Sequence, residues 1–512
     1  MTHRCLFPAT LALLITVAAC TGYRDLKKEM QAYKPPSYAG VQEQPRAARS
    51  RPTVDTGFVA AQKRLEEAKA HWEKSLTAPA EDTLFHRPAP AIQESLRPAG
   101  SDDDRTADAL QNGFSLETLE TLTLLRNPGI QAAENRFRGA LETFSQVAAL
   151  DEILRQYTAF TEALMTGIGP MKGQDPVQMK FPFPGVLSLK GEIAGQEARA
   201  AREELELARR EAVTAGRKTY WNLLFVRRAL KISGDTVELF RDLESVANTR
   251  YESGKTSFQD VIKVRIEREI LEEELITLQE KQRNLESKIR EILNLPPVIE
   301  LGSPASRKPR TDVPLLADLY PRARERRQEL RRTRALVGKM ARMIELAETM
   351  ILPSYTLNLS LYADEAVNQV GSMARQATFP VATTASQGAG LPQMPWYGTS
   401  DAFLRQTRQK LKALQEDLLR SEAETATLVR DSWFELDQAR REEALYRQTV
   451  VKLSQAALEV STRGYETGKV AFADVIASYT AWLRANLTLE RKKSDLGIAW
   501  AELERSVGTS WH

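Results

Sequence analysis

Arg250-Tyr251-Glu252-Ser253-Gly254-Lys255-Thr256-Ser257-Phe258-Gln259-Asp260-Val261-Ile262 occurs twice in this chain of 512 residues. Its copy is Gly464-Tyr465-Glu466-Thr467-Gly468-Lys469-Val470-Ala471-Phe472-Ala473-Asp474-Val475-Ile476. Tyr251 and Tyr465 are 214 residues apart (465 − 251), and Tyr, Glu, Gly, Lys, Phe, Asp, Val and Ile all recur at that offset. The chain is therefore a tandem duplication, and internal repetition has to be read before any local pattern.

Each copy reads as a break between two long helices. Charged, apolar-periodic sequence runs into Tyr251 and out of Val261, and Gly254 offers the left-handed conformation that ends a helix. Thr256 or Ser257 can cap the next helix, and Asp260 in its first turn suits the helix dipole. A plain turn would account for the glycine and the cap but not for the repeated residue types, so each copy is taken as the functional tip of a helical hairpin.

Residues 1–19 read as an export signal: Arg4 precedes an apolar stretch, Leu6 to Val17, too short to span a bilayer. Val17-Ala18-Ala19-Cys20 follows and resembles the bacterial lipobox, which implies a cut before a lipid-modified Cys20 and, with Thr21 next, sorting to the outer membrane. The other reading is an ordinary cleaved signal with a leftover thiol. Cys5, the one other cysteine, lies inside the signal, so the mature chain has no partner for an internal disulfide.

Residues 20–113 are punctuated by Pro35-Pro36, Pro45, Pro52, Pro79, Pro88, Pro90 and Pro98, with one sustained helical pattern from Phe58 to Leu76. This composition reads as a polar, poorly ordered tether rather than a domain. The first repeat is assigned to 114–300, a linker to 301–312, the second repeat to 313–508 and a tail to 509–512.

Ser115 begins a helix, and Asn127-Pro128 breaks it before a second run to about Leu150; Val313 to Ile351 is the counterpart. The arginines between Arg322 and Arg334 are interrupted by Glu325 and Glu329 and lack interleaved aromatics. With a net charge of only +3, they read as a solvated face rather than a nucleic-acid patch.

Tyr355-Thr356-Leu357-Asn358-Leu359-Ser360-Leu361 alternates apolar and polar residues after Leu352-Pro353. Ser354 to Tyr362 is close to the roughly 9–11 residues of a membrane-crossing strand, although a half-buried strand in a soluble sheet alternates in the same way. Three weaker strands are expected at Leu154 to Met165, at Val177 to Phe183 and between Thr378 and Trp396. Ala385 to Pro395 reads as a loop or distorted strand.

Pro182-Phe183-Pro184-Gly185 parallels Pro395-Trp396-Tyr397-Gly398 at an offset of 213 (395 − 182), one short of the tip offset. Helices expected over Leu187 to Tyr251 and Asp401 to Tyr465 would each reach roughly 100 Å at 1.5 Å per residue. After each tip comes an arm of about half that length, from Ser257 to Leu293 and from Ala471 to Val507, with a coiled-coil seam such as Leu271, Leu275, Leu278, Gln282 and Leu285. Stacking 257–293 end to end with 313–351, and 471–507 with 115–150, would complete a four-helix unit.

From Phe114 to Gly508 the sequence resembles the outer-membrane factor family typified by TolC. The doubled Tyr-x-x-Gly-x-x-x-x-x-Asp-Val tip carries the resemblance, supported by Asn127-Pro128, Leu352-Pro353 and the lipobox. It implies a mainly α fold with a small β part: a long antiparallel coiled-coil barrel, with four strands per subunit entering one β-barrel shared by a homotrimer in the outer membrane. The partners it implies are a periplasmic adaptor, indirectly an inner-membrane pump or ABC transporter, and outer-membrane lipid, with no nucleic acid.

By the same resemblance, Gly254 and Gly468 match tip turns that an adaptor hairpin contacts, with Thr256 and Val470 as neighbours. Asp474 matches an aspartate ringing the closed periplasmic entrance, and Asp260 and Tyr465 match members of the network that holds it shut. Val470 stands where a locking arginine occurs and Ala477 where a second aspartate occurs, which leaves Lys469 or Arg463 as substitutes. No proline introduces Leu154 to Met165, so an incomplete barrel, and with it a lipid-anchored periplasmic scaffold or tube, is the second reading.

Catalysis finds little support. Beyond the signal only His71, His86 and His512 remain, all in the tether or at the last residue, and no phosphate-cradling glycine loop is present. The carboxylates of Glu272, Glu273 and Glu274 read as a solvated coiled-coil face. No enzyme, cofactor or metal is expected.

Overall fold

The computed structural model describes residues 84–111, 113–143, 177–181, 186–253, 257–350, 355–359, 384–387, 396–467 and 469–511, with Lys63, Glu67, Ala70, His71 and Lys74. In chain order the elements are α1 (Pro90–Leu96), α2 (Asp103–Gln111), α3 (Leu116–Arg126), α4 (128–143), β1 (Val177–Phe181), α5 (Val186–Glu252) and α6 (Phe258–Leu293). The second half supplies α7 (Leu316–Arg326), α8 (Gln328–Met350), β2 (Tyr355–Leu359), β3 (Thr384–Gln387), α9 (Trp396–Leu445), a π-helical turn (Tyr446–Val450), α10 (Val451–Glu466) and α11 (Phe472–Val507).

The two long rods are as the sequence predicts. Helix α5 runs 67 residues without interruption, roughly 100 Å. The sequence from Trp396 to Glu466 is helical throughout, with one turn in π geometry. Both arms start and stop within a residue or two of the expected bounds. Asn294, at φ 51°, ends α6 in the left-handed conformation, and Gly508, at φ 82°, does the same for α11.

Lateral packing follows the order α6, α5, α11 and α9–α10 towards the tips, and α4, α5, α8 and α9 towards the strands. Both levels thus repeat an alternation of half-length and full-length helix. The short helices stack differently from the sequence expectation, which joined arms to half-helices of the opposite repeat. Asn127 Nδ2 donates to Ile292 O (2.8 Å) and Arg126 Nε to Leu293 O (3.0 Å), so α6 meets the α3–α4 break of its own repeat. In the second half Gln328 Nε2 donates to Gly508 O (2.9 Å), which seats α11 on α8. Heptad spacing fixes which face of a helix is apolar but not which helix lies beyond its end; these polar end contacts decide that.

Residues 84–111 are a second correction, because the tether assignment fails over them. Pro90 is the first residue of α1 and Pro98 lies in a 3₁₀ turn, so two prolines that read as punctuation instead start helical turns. Phe85, Ala99 and Leu110 are buried, and Thr106 Oγ1 donates to Ala99 O at 2.7 Å. His86, expected outside the body, is buried between Arg217 and Glu120.

The linker crosses the middle of the helices as a strap held by aromatic donors. Tyr220 donates its hydroxyl to Ala305 O (2.5 Å), while Trp500 and Trp433 donate their indole N–H groups to Arg310 O (3.0 Å) and Pro314 O (2.9 Å). At the same level Arg217 is buried between Glu120 and Glu504 and also reaches Ser510 Oγ (2.9 Å). Burial works against its charge, but the two carboxylates outweigh it and hold the guanidinium above its ordinary value. The Glu504 carboxyl is pushed up by the same burial.

At the end away from the tips, β1, β2 and β3 form an antiparallel three-stranded sheet in that order. Val177 faces Leu359 and Phe181 faces Tyr355, and β2 then pairs with β3 from Tyr355↔Gln387 to Asn358↔Thr384. A strand of the first repeat is thereby joined to the hairpin of the second. The Ala385 end of the expected loop forms part of β3, and the expected strand at 154–165 lies outside the described residues.

Candidate functional site: the duplicated tips

Each tip closes with an aromatic pair. Tyr251 and Phe258 lie 5.3 Å apart at 45°, and their copies Tyr465 and Phe472 lie 5.2 Å apart at 43°. The recurring Tyr and Phe of the motif are thus the ring that ends one helix and the ring that begins the next. Asp260 and Asp474 both sit in first turns, where the dipole favours an acid. Ser257 occupies the cap position expected of it, but its hydroxyl donates to Asp260 Oδ2 (3.1 Å) instead of accepting from a backbone N–H.

The tips come together at one end of the unit. Arg250 donates to the hydroxyl oxygen of Tyr465, and its guanidinium carbon lies 4.6 Å from the centre of that ring. Tyr465 therefore meets both a cation and the ring of Phe472. Lys469 and Arg463 were the expected substitutes for a missing arginine; the cation on Tyr465 comes from the opposite tip. Its signal in the sequence is a mismatch, since the residue before the tip tyrosine is Arg250 in one copy and Gly464 in the other.

Gly464 has a structural reason of its own. Lys469 N and Val470 N donate to Gly464 O at 2.8 and 3.3 Å, which folds Val470 over the glycine. A Cβ there would stand 2.5 Å from Val470 Cγ2. Asp474 is exposed. Gly254, Thr256, Gly468 and the lipobox with Cys20 lie outside the described residues.

The two arms carry the same apolar positions in different surroundings. Phe472 and Ile476 on α11 are each 5% exposed, because α5 covers them, whereas their copies on α6, Phe258 and Ile262, are 56% and 42% exposed. The long helices show the same contrast. Trp221 of α5 is 5% exposed against α11, while Phe434, at the matching place on α9, is 48% exposed. Each outer edge of the unit therefore repeats one half of a joint that is closed in its interior.

Residues 319–509 match the family model described as outer membrane efflux protein. The match spans the second repeat. The fold agrees over most of the chain's length. It is similar to the outer-membrane channel OprN (TM-score 0.58, 15% identity, covering 85% of this chain and 94% of that one). It is similar also to the outer membrane protein VceC of Vibrio cholerae (0.54, 14%, 78% and 97%) and to the CmeC outer membrane channel of Campylobacter jejuni (0.56, 11%, 77% and 85%). No curated protein matches the sequence. The second repeat is thus matched as an outer membrane efflux protein domain, and the fold is that of outer-membrane channels. Among the described residues no helix is long and apolar enough to cross a membrane, and no group of His, Cys, Asp or Glu is placed to hold a metal ion.

Proposed function

We propose that three copies of this chain close head to tail into a tube, anchored in the outer membrane by a shared barrel and by a lipid on Cys20, that carries efflux cargo passively across the periplasm. The observation that carries it is the pair of open edges. Along the subunit a long helix follows each arm, and the α5–α11 joint buries Phe472, Ile476 and Trp221. A neighbour's α9–α10 laid on α6 would repeat that joint and bury Phe258, Ile262 and Phe434. Contacts of this head-to-tail kind make rings when the rotation closes.

In that tube the tips face the inner membrane and dock a periplasmic adaptor through Gly254, Thr256, Gly468 and Val470. Three copies of Asp474 then ring the entrance, attracting cations and resisting anions. Asp260 and Tyr465 belong to the closing contacts, now joined by Arg250. The adaptor links the tube to an inner-membrane pump or ABC transporter that supplies the energy.

Planar bilayers test the conduit directly. The purified protein should give stepwise conductance, and Asp474→Ala should lower its cation preference. A trimer that stays electrically silent in both forms would favour a lipid-anchored periplasmic scaffold instead.

A further inference from the structure

The offset between the repeats changes inside the second long helix. Arg227-Arg228 and Arg440-Arg441 are 213 residues apart, as are Trp221 and Phe434, yet the tip tyrosines are 214 apart. One residue has therefore been added between Arg441 and Tyr465. The matching stretch of α5 is α-helical throughout, whereas Tyr446–Val450 is π-helical, with Val451 N donating to Tyr446 O five residues back. Such a turn is what a single insertion in a helix produces.

The insertion bears on one face of the helix. Phe434, Leu445, Leu453 and Val460 are apolar positions of the open edge, and their copies on α5 are Trp221, Ile232, Leu239 and Val246, of which Trp221 and Ile232 pack into the core. The first two pairs keep the 213 offset and the last two the 214 offset, and the switch falls at the π turn. All four edge residues are exposed. In an unbroken α-helix the extra residue would swing everything beyond it by about 100°. Leu453 and Val460 would then leave the edge, and Tyr465 would leave Arg250.

We infer that the π turn at Tyr446–Val450 is a phase corrector, which keeps the lower part of the second long helix in register with the α6 edge of a second copy of this chain. It rests on the ring assembly proposed above and adds what holds that interface in phase below the turn. Gln448, exposed within the turn, is the residue to remove. Deleting it should restore continuous α-helix and leave residues 451–466 in the same phase relative to 396–445, because the deletion removes the extra residue that the π turn absorbs.

Two cysteine pairs report on the two sides of the turn. Arg283→Cys with Phe434→Cys lies above it, at the places that copy the Gly497–Trp221 contact. Ile262→Cys with Val460→Cys lies below it. In the full-length chain both pairs should oxidise to covalent trimers, and failure of both would reject the ring assembly rather than the phase corrector. With Gln448 deleted, both pairs should still cross-link. An alanine inserted after Gln455 in the undeleted chain, where no turn absorbs it, should leave the upper pair and abolish the lower one. Loss of the lower cross-link alone after the deletion overturns the inference. If the deletion abolishes both cross-links, the inserted alanine decides: loss of the lower pair alone supports the corrector, and persistence of both overturns it.

Discussion

The guanidinium of Arg250 lies over the ring of Tyr465, 4.6 Å from its centre, so a residue of the first tip holds the tyrosine of the second. The two residues are 215 positions apart in sequence, and their meeting fixes both tips at one end of the molecule. Arg250→Ala removes the stacking and the hydrogen bond, whereas Tyr465→Phe removes only the hydrogen bond. A cation–π contact at such a half-open site is worth about 0.5–1 kcal/mol. Single-channel recordings should show a few-fold rise in opening for Arg250→Ala, a smaller one for Tyr465→Phe and none for Lys469→Ala. Equal effects from all three would remove Arg250 from the closing contacts.

Arg217 is buried between two carboxylates. Arg217→Ala leaves Glu120 and Glu504 facing each other without a cation, and loss of one partner from a buried ion pair costs about 3–5 kcal/mol. Urea denaturation should show a large fall in the midpoint. Replacing all three by apolar residues of similar volume should recover most of it, because no buried charge is then left over. A triple variant as weak as the single one would contradict this account.

Gly497 of α11 packs directly against Trp221 of α5. A Cβ there would sit 2.2 to 2.6 Å from the indole atoms of Trp221. Gly497→Ala should therefore destabilise by about 1–3 kcal/mol. The penalty should shrink in a Trp221→Leu background, a coupling that a double-mutant cycle measures.

Two glutamates give opposite pH dependence. Burial pushes Glu203 up to about 7 even though Arg331 lies 2.8 Å away. Since this is above its unfolded value, its contribution is fully present below about 4.5 and is lost as pH rises through about 7. Burial also raises Glu329, but the hydrogen bonds and charge of Arg210 outweigh it and hold the carboxyl down at about 2. That contribution is present above about 4.5 and lost as pH falls through about 2, reduced by the partial exposure of the side chain. Melting temperatures across pH should lose their slope near neutrality in Glu203→Gln and their acid limb in Glu329→Gln. An unchanged slope in either variant would assign that limb to other groups.

The rods, the arms and the tips were legible because each depends on local rules: periodicity, a glycine break, an acid in a first turn. The duplication made them more so, since Tyr251 and Tyr465 could be read together. Residues 84–111 were not legible, because Pro90 and Pro98 mark a break in one context and a helix start in another; only the pocket around Phe85 and Ala99 decides which. The stacking partners of α6 and α11 depend on side chains such as Asn127 and Gln328 meeting carbonyls more than a hundred residues away. Arg250 was hidden for a similar reason: it differs from its copy, and repetition draws the eye to what is shared. The one-residue difference between the proline and tip offsets was visible in sequence, but its location required the backbone of Tyr446–Val450.

The self-contained stacking of each half has a consequence for ancestry. Since α6 completes its rod on α4, and α11 on α8, a single-repeat gene would already have encoded every longitudinal contact. For the ring proposed above, its product would have had to assemble as a hexamer to enclose the same bore. Fusion would then halve the number of chains and leave Phe258 and Phe472, once interchangeable by symmetry, free to diverge.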